Sequence, residues 1–542
     1  MTGGVVAGAA GERASRRRCI RPPSEGPSAL LARPARLHDV LMTTSIARAQ
    51  GVAGGPGAPA GLAETHSSVV ILVGDRAYKV RKRVDLGFLD HRSRRQREVA
   101  SHREVELNRR LAPDVYLGVA DVVDQDGDLC DHMVVMRRMP AERRLATLVR
   151  AGVDVEGDLW RLAHLLAAFH ARAQRSPTAD EAAGADATAR RWAANTAEML
   201  ALPGSSLDGD AIRRVDEDAA RYVAGRRPLF EQRVADGRAC DGHGDLLADD
   251  VFCLEDGPRV LDCLDFDTSL RLGDALADVA FLAMDLERLG RPDLAERFLA
   301  AYREHAEDCW PRSLAHHHIA YRAQVRAKVA AIRATQGDPG SAREADRLLA
   351  MAAHHLDAGR VRLVIVGGLP GTGKSTLADG VGDALGATVL RSDEVRKELA
   401  GIDVDRPAPA AFGEGLYTPA GKAATYAEVF RRTEVALGLG EQVVLDASFG
   451  DRCWRDEAGA VAARGHADLV ELRCSVPPEL AAERIRQRMA VGGGPSDATP
   501  DVAAALAALA DPWPEADAID MSAGPGEGVV SALAAVRRVR GR

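Results

Sequence analysis

Residues 368–375 read Gly-Leu-Pro-Gly-Thr-Gly-Lys-Ser, and Thr376 follows. The string fits G-x-x-x-x-G-K-[ST]. Its glycines, Gly368, Gly371 and Gly373, let a backbone wrap a phosphate closely, with Leu369, Pro370 and Thr372 filling the turn. Successive N–H groups and a helix N-terminus then point at the anion. Lys374 brings a compact charge to the β- and γ-phosphates, and the Ser375 hydroxyl an oxygen for Mg²⁺. Lysine is scarce: Lys79, Lys82, Lys328, Lys374, Lys397 and Lys422 are six of 71 basic residues. A retained lysine therefore marks a place where an ammonium suits better than a planar fork.

Further acids and arginines follow this loop. Arg391-Ser392-Asp393-Glu394-Val395-Arg396 closes a short apolar run. An acid at the C-terminal end of a parallel strand faces the ligand crevice. Asp393 there could take a proton from an acceptor hydroxyl while Arg396 holds an anionic group. Alternatively, Ser392 or Asp393 caps a helix. Asp446 ends Val443-Val444-Leu445 and reads as a Mg²⁺–water ligand, with Arg452 as a phosphate contact. Arg484 and Arg488, four apart, share a helix face. They either close over a transferring phosphoryl group or form a solvated face.

A second constellation lies upstream. His243-Gly244-Asp245-Leu246 precedes Asp250, then Asp262, Asp265 and Asp267. A Mg-ATP phosphotransferase needs one carboxylate near the acceptor hydroxyl and others for metal. Asp262 or Asp267 could instead cap turns. Earlier, Lys79 sits on a strand and Glu104 on the following helix, the order of a phosphate-positioning pair in protein kinases. Lys82 reads as solvated, and the arginines at 92–97 and 103–110 as an exposed helix face or an anion-steering patch. His316–His318 and His354–His355 lack metal-ligand spacing.

These residues need scaffolds. At 542 residues and 46% hydrophobic, the chain is long enough for several cores. No apolar run approaches the roughly 18–20 residues of a membrane span. With 71 basic and 79 acidic residues the net charge is −8, which counts against a large nucleic-acid-binding domain. Eight cysteines with no C-x-x-C pair fit reduced thiols in a cytoplasm. Residues 1–62 read as a disordered tail rich in Gly, Ala, Pro and Arg. Strands are expected at 68–73, 77–80, 115–123 and 133–136, a helix at 93–111, a periodic helix with Leu159, Leu162, Ala163, Leu166, Phe169, His170 and Ala173 on one face, and mostly helix over 176–235 and 275–357. A hairpin is expected from 251–254 and 260–264. From 361 short apolar runs alternate with helices, which implies a parallel α/β sheet. The units expected are 63–358, with an N-lobe to about 140 and a helical C-lobe beyond, and 359–542.

The C-terminal strings resemble small P-loop kinases grouped with polynucleotide 5′-hydroxyl kinase, zeta-toxin and gluconate kinase. The resemblance implies a P-loop NTPase fold, Asp393 as base, and closing roles for Arg484 and Arg488. Residues 65–300 resemble the aminoglycoside phosphotransferase and choline-kinase branch of the kinase-like fold. The strings that carry this are Glu64-Thr-His-Ser67 through Tyr78-Lys79, Phe88-Leu-Asp90, Leu107-Asn-Arg-Arg-Leu-Ala-Pro113 and the 243–267 acids. That resemblance implies a bilobal α+β unit joined to an α/β unit. Lys79 and Glu104 would position phosphates, residues 136–139 would be an adenine hinge and Asp245 the base. Asp265, or Asp262, would bind metal together with Asp250. The pattern H-G-D-x-H-x-x-N meets Leu247 and Asp250 here. The expected function is ATP- and Mg²⁺-dependent transfer of a phosphoryl group to a small-molecule hydroxyl. The alternatives are a pseudokinase module coupled to a P-loop ATPase switch, an inert scaffold, or a nucleic-acid 5′-hydroxyl kinase.

Overall fold

A computed structural model describes residues 61–64, 67–85, 90–403, 418–491 and 499–539. The tail expected at 1–62 lies outside these residues except for Gly61 and Leu62, which already belong to a strand. An antiparallel five-stranded sheet comes first: β1 (Gly61–Glu64), β2 (Ser68–Val73), β3 (Arg76–Arg81), β4 (Tyr116–Val123) and β5 (Leu129–Arg137), in spatial order β1-β2-β3-β5-β4. Helix Arg94–Asn108 connects β3 to β4. Its start is fixed by a capping box: the Ser93 hydroxyl accepts the Gln96 N–H, and Gln96 Oε1 accepts the Ser93 N–H. Arg97, 1% exposed, pins the helix to β5 through Asp131 at 2.9 Å.

A helical lobe follows. Helix Glu156–Arg172 buries Leu159, Leu162, Ala163, Leu166 and Phe169 at 3/4 spacing. Two small ladders interrupt the helices: β6 (Ala239–Asp241), β7 (Val251–Leu254), β8 (Gly257–Val260) and β9 (Leu272–Asp274), paired β6–β9 and β7–β8. The hairpin therefore turns earlier than the sequence suggests. Its second strand is 257–260, and 261–267, expected to carry that strand on to 264, is irregular and carries the acids.

The parallel sheet comprises β10 (Arg362–Gly367), β11 (Thr388–Arg391), β12 (Val443–Asp446), β13 (Asp468–Ser475) and β14 (Asp517–Asp520), ordered β11-β12-β10-β13-β14. β10 and β12 are buried along their inner runs, as befits strands covered on both faces. One hydrophobic cluster runs from Leu145 and Phe281 through Leu356 and Val361 to Tyr426 and Trp513, so the helical lobe and the parallel sheet share apolar contacts. Polar ties reinforce the seam. Asp468 forms an ion pair with Arg221 at 2.6 Å and accepts from Arg360 at 3.3 Å, Arg226 donates to the Gly465 carbonyl, and the Ser313 hydroxyl donates to Gly440 at 2.7 Å. Among the described residues no helix is long and apolar enough to cross a membrane.

Candidate active sites

In the N-terminal unit the strand period puts Lys79 and Arg81 on one face of β3. Lys79 Nζ lies 2.8 Å from Glu104 Oε1 and 3.2 Å from Asp262 Oδ1. Arg81 donates to the other Glu104 oxygen at 2.8 Å and to Asp265. Burial alone would lower the Lys79 pKa, but Asp262 and Glu104 outweigh it and hold the ammonium above its ordinary value. Burial would raise Asp265, yet Arg81 and Lys79 keep its carboxyl below the usual range. The sequence left Asp265 and Asp262 as rivals. The structure gives Asp262 to Lys79 and Asp265 to Arg81. Asp262 also has φ 62°, a left-handed backbone that a non-glycine adopts at a cost, and the Tyr116 hydroxyl accepts its N–H at 3.2 Å.

Asp245 is fully buried on a loop anchored from below. Asp278 accepts the His243 and Gly244 N–H groups at 2.7 and 2.8 Å, and Asp285 accepts that of Ala248 at 2.9 Å. The His243 ring contacts the Leu261 carbonyl at 3.0 Å, tying this loop to the Asp262 segment. Burial pushes the Asp250 carboxyl well above the usual range, and Asp262, Asp245 and Asp249 add to the push. These acids are therefore neighbours. Among the described residues no three His, Cys, Asp or Glu side chains form a metal cage. Mg²⁺ is commonly held by one or two carboxylates plus substrate phosphates, so the donor set still fits that ion.

In the C-terminal unit the loop between β10 and helix Lys374–Leu385 holds three glycines at positive φ. At Gly371 (φ 81°) an added Cβ would lie 2.5 Å from the Ala481 carbonyl of helix Pro478–Val491. Lys374 Nζ donates to Leu369 across the loop at 3.1 Å. Ser375 donates to Asp446 at the end of β12; burial raises that carboxyl, against the pull of Lys374 and Ser375. Asp393 lies close enough to Asp446 to repel it and pairs with Arg396. Helix Ser392–Leu399 is preceded by Arg391 with no side-chain cap, so neither Ser392 nor Asp393 caps it. Arg484, half-buried, donates to the Met521 carbonyl at 3.0 Å, and Arg488 is also half-buried. Arg452 is 71% exposed beside Asp456.

A family model described as "Phosphotransferase enzyme family" matches residues 64–316, and one described as "AAA domain" matches 363–512. Uncharacterized protein Rv2004c of Mycobacterium tuberculosis (strain ATCC 25618 / H37Rv) is 47% identical over 464 residues, 86% of this chain and 92% of its own. Uncharacterized protein Mb2027c of Mycobacterium bovis matches to the same extent, 47% identical over 86% of this chain and 92% of its own. The chain belongs to this family of phosphotransferase–AAA fusions. Among solved structures, a choline/ethanolamine kinase family protein from Mesorhizobium loti shares 15% identity, with TM-score 0.36, over 56% of this chain and 90% of its own. A gluconokinase from Sinorhizobium meliloti 1021 shares 24%, with TM-score 0.24, over 33% and 92%.

Sequence reading missed several residues of the phosphotransferase unit. Arg81 was available from its two-residue offset to Lys79. Tyr116, Asp278 and Asp285 carry no local signal, because their partners lie far along the chain. Two readings need correction. The arginines at 92–97 and 103–110 are not simply an exposed face: Arg97 is buried, and Arg110 donates to the Asp241 and Gly242 carbonyls at 3.2 and 2.9 Å. Lys82 is not free in solvent; it pairs with Glu64 at 2.5 Å. The histidine runs are tied inward: His316 contacts His355 at 2.8 Å, and His355 contacts Glu287 at 2.8 Å.

Proposed function

We propose that the fusion is an ATP-dependent kinase with two nucleotide sites, one in residues 63–358 and one in 359–542, each passing a γ-phosphoryl group to an alcohol. The observation that carries this reading is the convergence of Lys374, Ser375 and Asp446 at the C-terminal edge of the parallel sheet. In the AAA unit, loop amides and Lys374 hold the phosphates. Asp393, oriented by Arg396, takes the acceptor proton as the hydroxyl oxygen attacks γ-phosphorus. A P–O bond forms to the acceptor, the bond to the β,γ-bridging oxygen breaks, and ADP leaves with that electron pair. Arg484 and Arg488 stand on the helix packed over the loop, where they can balance charge developing on the equatorial oxygens. Mg²⁺, when bound, neutralises phosphate oxygens; Ser375 and Asp446 would hold it here, and Asp262 with Asp250 in the phosphotransferase unit. There Lys79, set by Glu104, positions phosphates, and Asp245 serves as base.

A second reading, a nucleotide-binding phosphotransferase unit without transfer, is favoured by Asp250, a further carboxyl that burial and its acidic neighbours push well above the usual range. One experiment separates the two. Transfer from radiolabelled ATP is measured for the full chain across an alcohol panel, alongside Lys374→Ala and Asp245→Asn. Each variant is expected to lose about a hundredfold or more on the acceptors of its own unit. Undiminished transfer in Lys374→Ala removes the AAA mechanism. Loss in Lys374→Ala alone makes the phosphotransferase unit a binding module.

A further inference from the structure

Beside the Asp245 loop lies a cavity that neither nucleotide site uses. Five arginines, Arg150, Arg288, Arg326, Arg333 and Arg347, line it against two carboxylates, Asp338 and Glu344. Arg150 and Arg288 are the last residues of helices Leu145–Arg150 and Ala275–Arg288, where helix dipoles favour cations. Arg326, Val329 and Arg333 share one face of helix Arg312–Thr335, and Arg347 comes from helix Ser341–Ala358.

The cavity is wired to the loop that carries the proposed base. Arg150 stands 3.6 Å from Asp249. Arg288 donates at 2.6 Å to Asp285, whose other oxygen accepts the Ala248 N–H. Arg333 lies within electrostatic reach of Asp245 itself. The positive charge is only partly balanced. Arg288 and Arg347 divide Glu344 between them at 3.4 and 2.5 Å. Arg326 Nη1 is buried and has no hydrogen-bond partner among the described residues. A buried donor left without an acceptor is costly, and a bound oxyanion would remove that cost. The guanidinium groups also crowd one another: after burial, Arg326 is the strongest influence lowering the pKa of Arg333.

The geometry points to an oxyanion-holding acceptor site: the phosphotransferase unit takes an alcohol that also bears a phosphate or carboxylate group, gripped by Arg326 and Arg333 with Arg347 at the rim. Planar guanidinium forks match both groups bidentately. A cationic alcohol is repelled by the same charges. This inference rests on the kinase reading of that unit. With the anion held, the acceptor hydroxyl gives its proton to Asp245, its oxygen bonds γ-phosphorus, and ADP departs.

The test is calorimetry on the full chain saturated with Mg²⁺ and the non-hydrolysable analogue AMPPNP. The probes are glycerol 3-phosphate, glycerate, glycerol and choline. The two anions are expected to bind at least about tenfold tighter than glycerol or choline, and Arg326→Gln to lose about tenfold for the anions. Comparison of the two anions decides between phosphate and carboxylate. Equal affinity for choline and the anions overturns the inference, as does undiminished anion binding in Arg326→Gln. If that variant fails to fold, Arg347→Gln at the exposed rim replaces it, with about threefold weaker binding expected and no change overturning the site. AMPPNP stoichiometry keeps the two readings apart. Two per chain without anion binding sinks this inference alone; anion binding with one AMPPNP per chain keeps the oxyanion site but sinks the two-site kinase reading and, with it, the acceptor role.

Discussion

In the sites proposed above, the phosphotransferase unit would meet phosphate with side chains, whereas the AAA unit would meet it mainly with backbone. Lys79 and Arg81 are cations withdrawn from water, 18% and 4% exposed, and each is held by carboxylates. Ions taken out of water persist when paired and hydrogen-bonded. The loop at 368–375 instead offers glycines of positive φ, together with one lysine. A side-chain solution makes stability depend on every partner in the network. A backbone solution makes it depend on the space around a few α-carbons.

The comparison can be broken most sharply at Glu104. Glu104→Gln leaves Lys79 and Arg81 without their shared carboxylate. The expected loss is about 3 kcal/mol, read as a lower urea midpoint, with weaker nucleotide binding in that unit. Acid should also separate the halves, because 14 of the 15 histidines precede Val361. Burial lowers His316 to about 4, with His355 and Arg312 adding to the effect. Burial also lowers His318 to about 4, although Asp274 opposes it. Between pH 6.5 and about 4 the unfolded chain binds protons that the folded chain refuses, so stability falls as pH falls through that window. The expected loss is of order 2–3 kcal/mol for each ring, seen as a falling melting temperature; a flat profile across this window would contradict the burial of these rings. The third contrast is between two glycines. Gly371→Ala drives a methyl against the Ala481 carbonyl and should cost about 2 kcal/mol along with nucleotide affinity in the AAA unit. Gly74→Ala, at φ 55° with nothing within 4 Å, should cost about 1 kcal/mol and spare nucleotide binding. Equal effects would mean that crowding does not govern the loop.

The same contrast explains what could be read in advance. The phosphate loop is eight contiguous residues, so its geometry is written locally. Lys79 meets partners 25 and 183 positions away, and only the fold brings them together. The ranking of Asp262 over Asp265 as the partner of Lys79 depends on one backbone angle and on Arg81, neither of which spacing reveals. The β8 turn misled for a simpler reason: Leu261 and Leu264 are apolar, but the chain leaves the ladder at Val260 to present acids. The arginine cavity was illegible because its members come from four helices and look, one at a time, like solvated surface.

The apolar contacts that run from the helical lobe into the parallel sheet bear on the ancestry of such fusions. A lineage that stopped using one half as a catalyst would still need its bulk, since removing it would break the apolar cluster that the two halves share. Retention of either half across descendants is therefore no measure of whether it still turns over substrate.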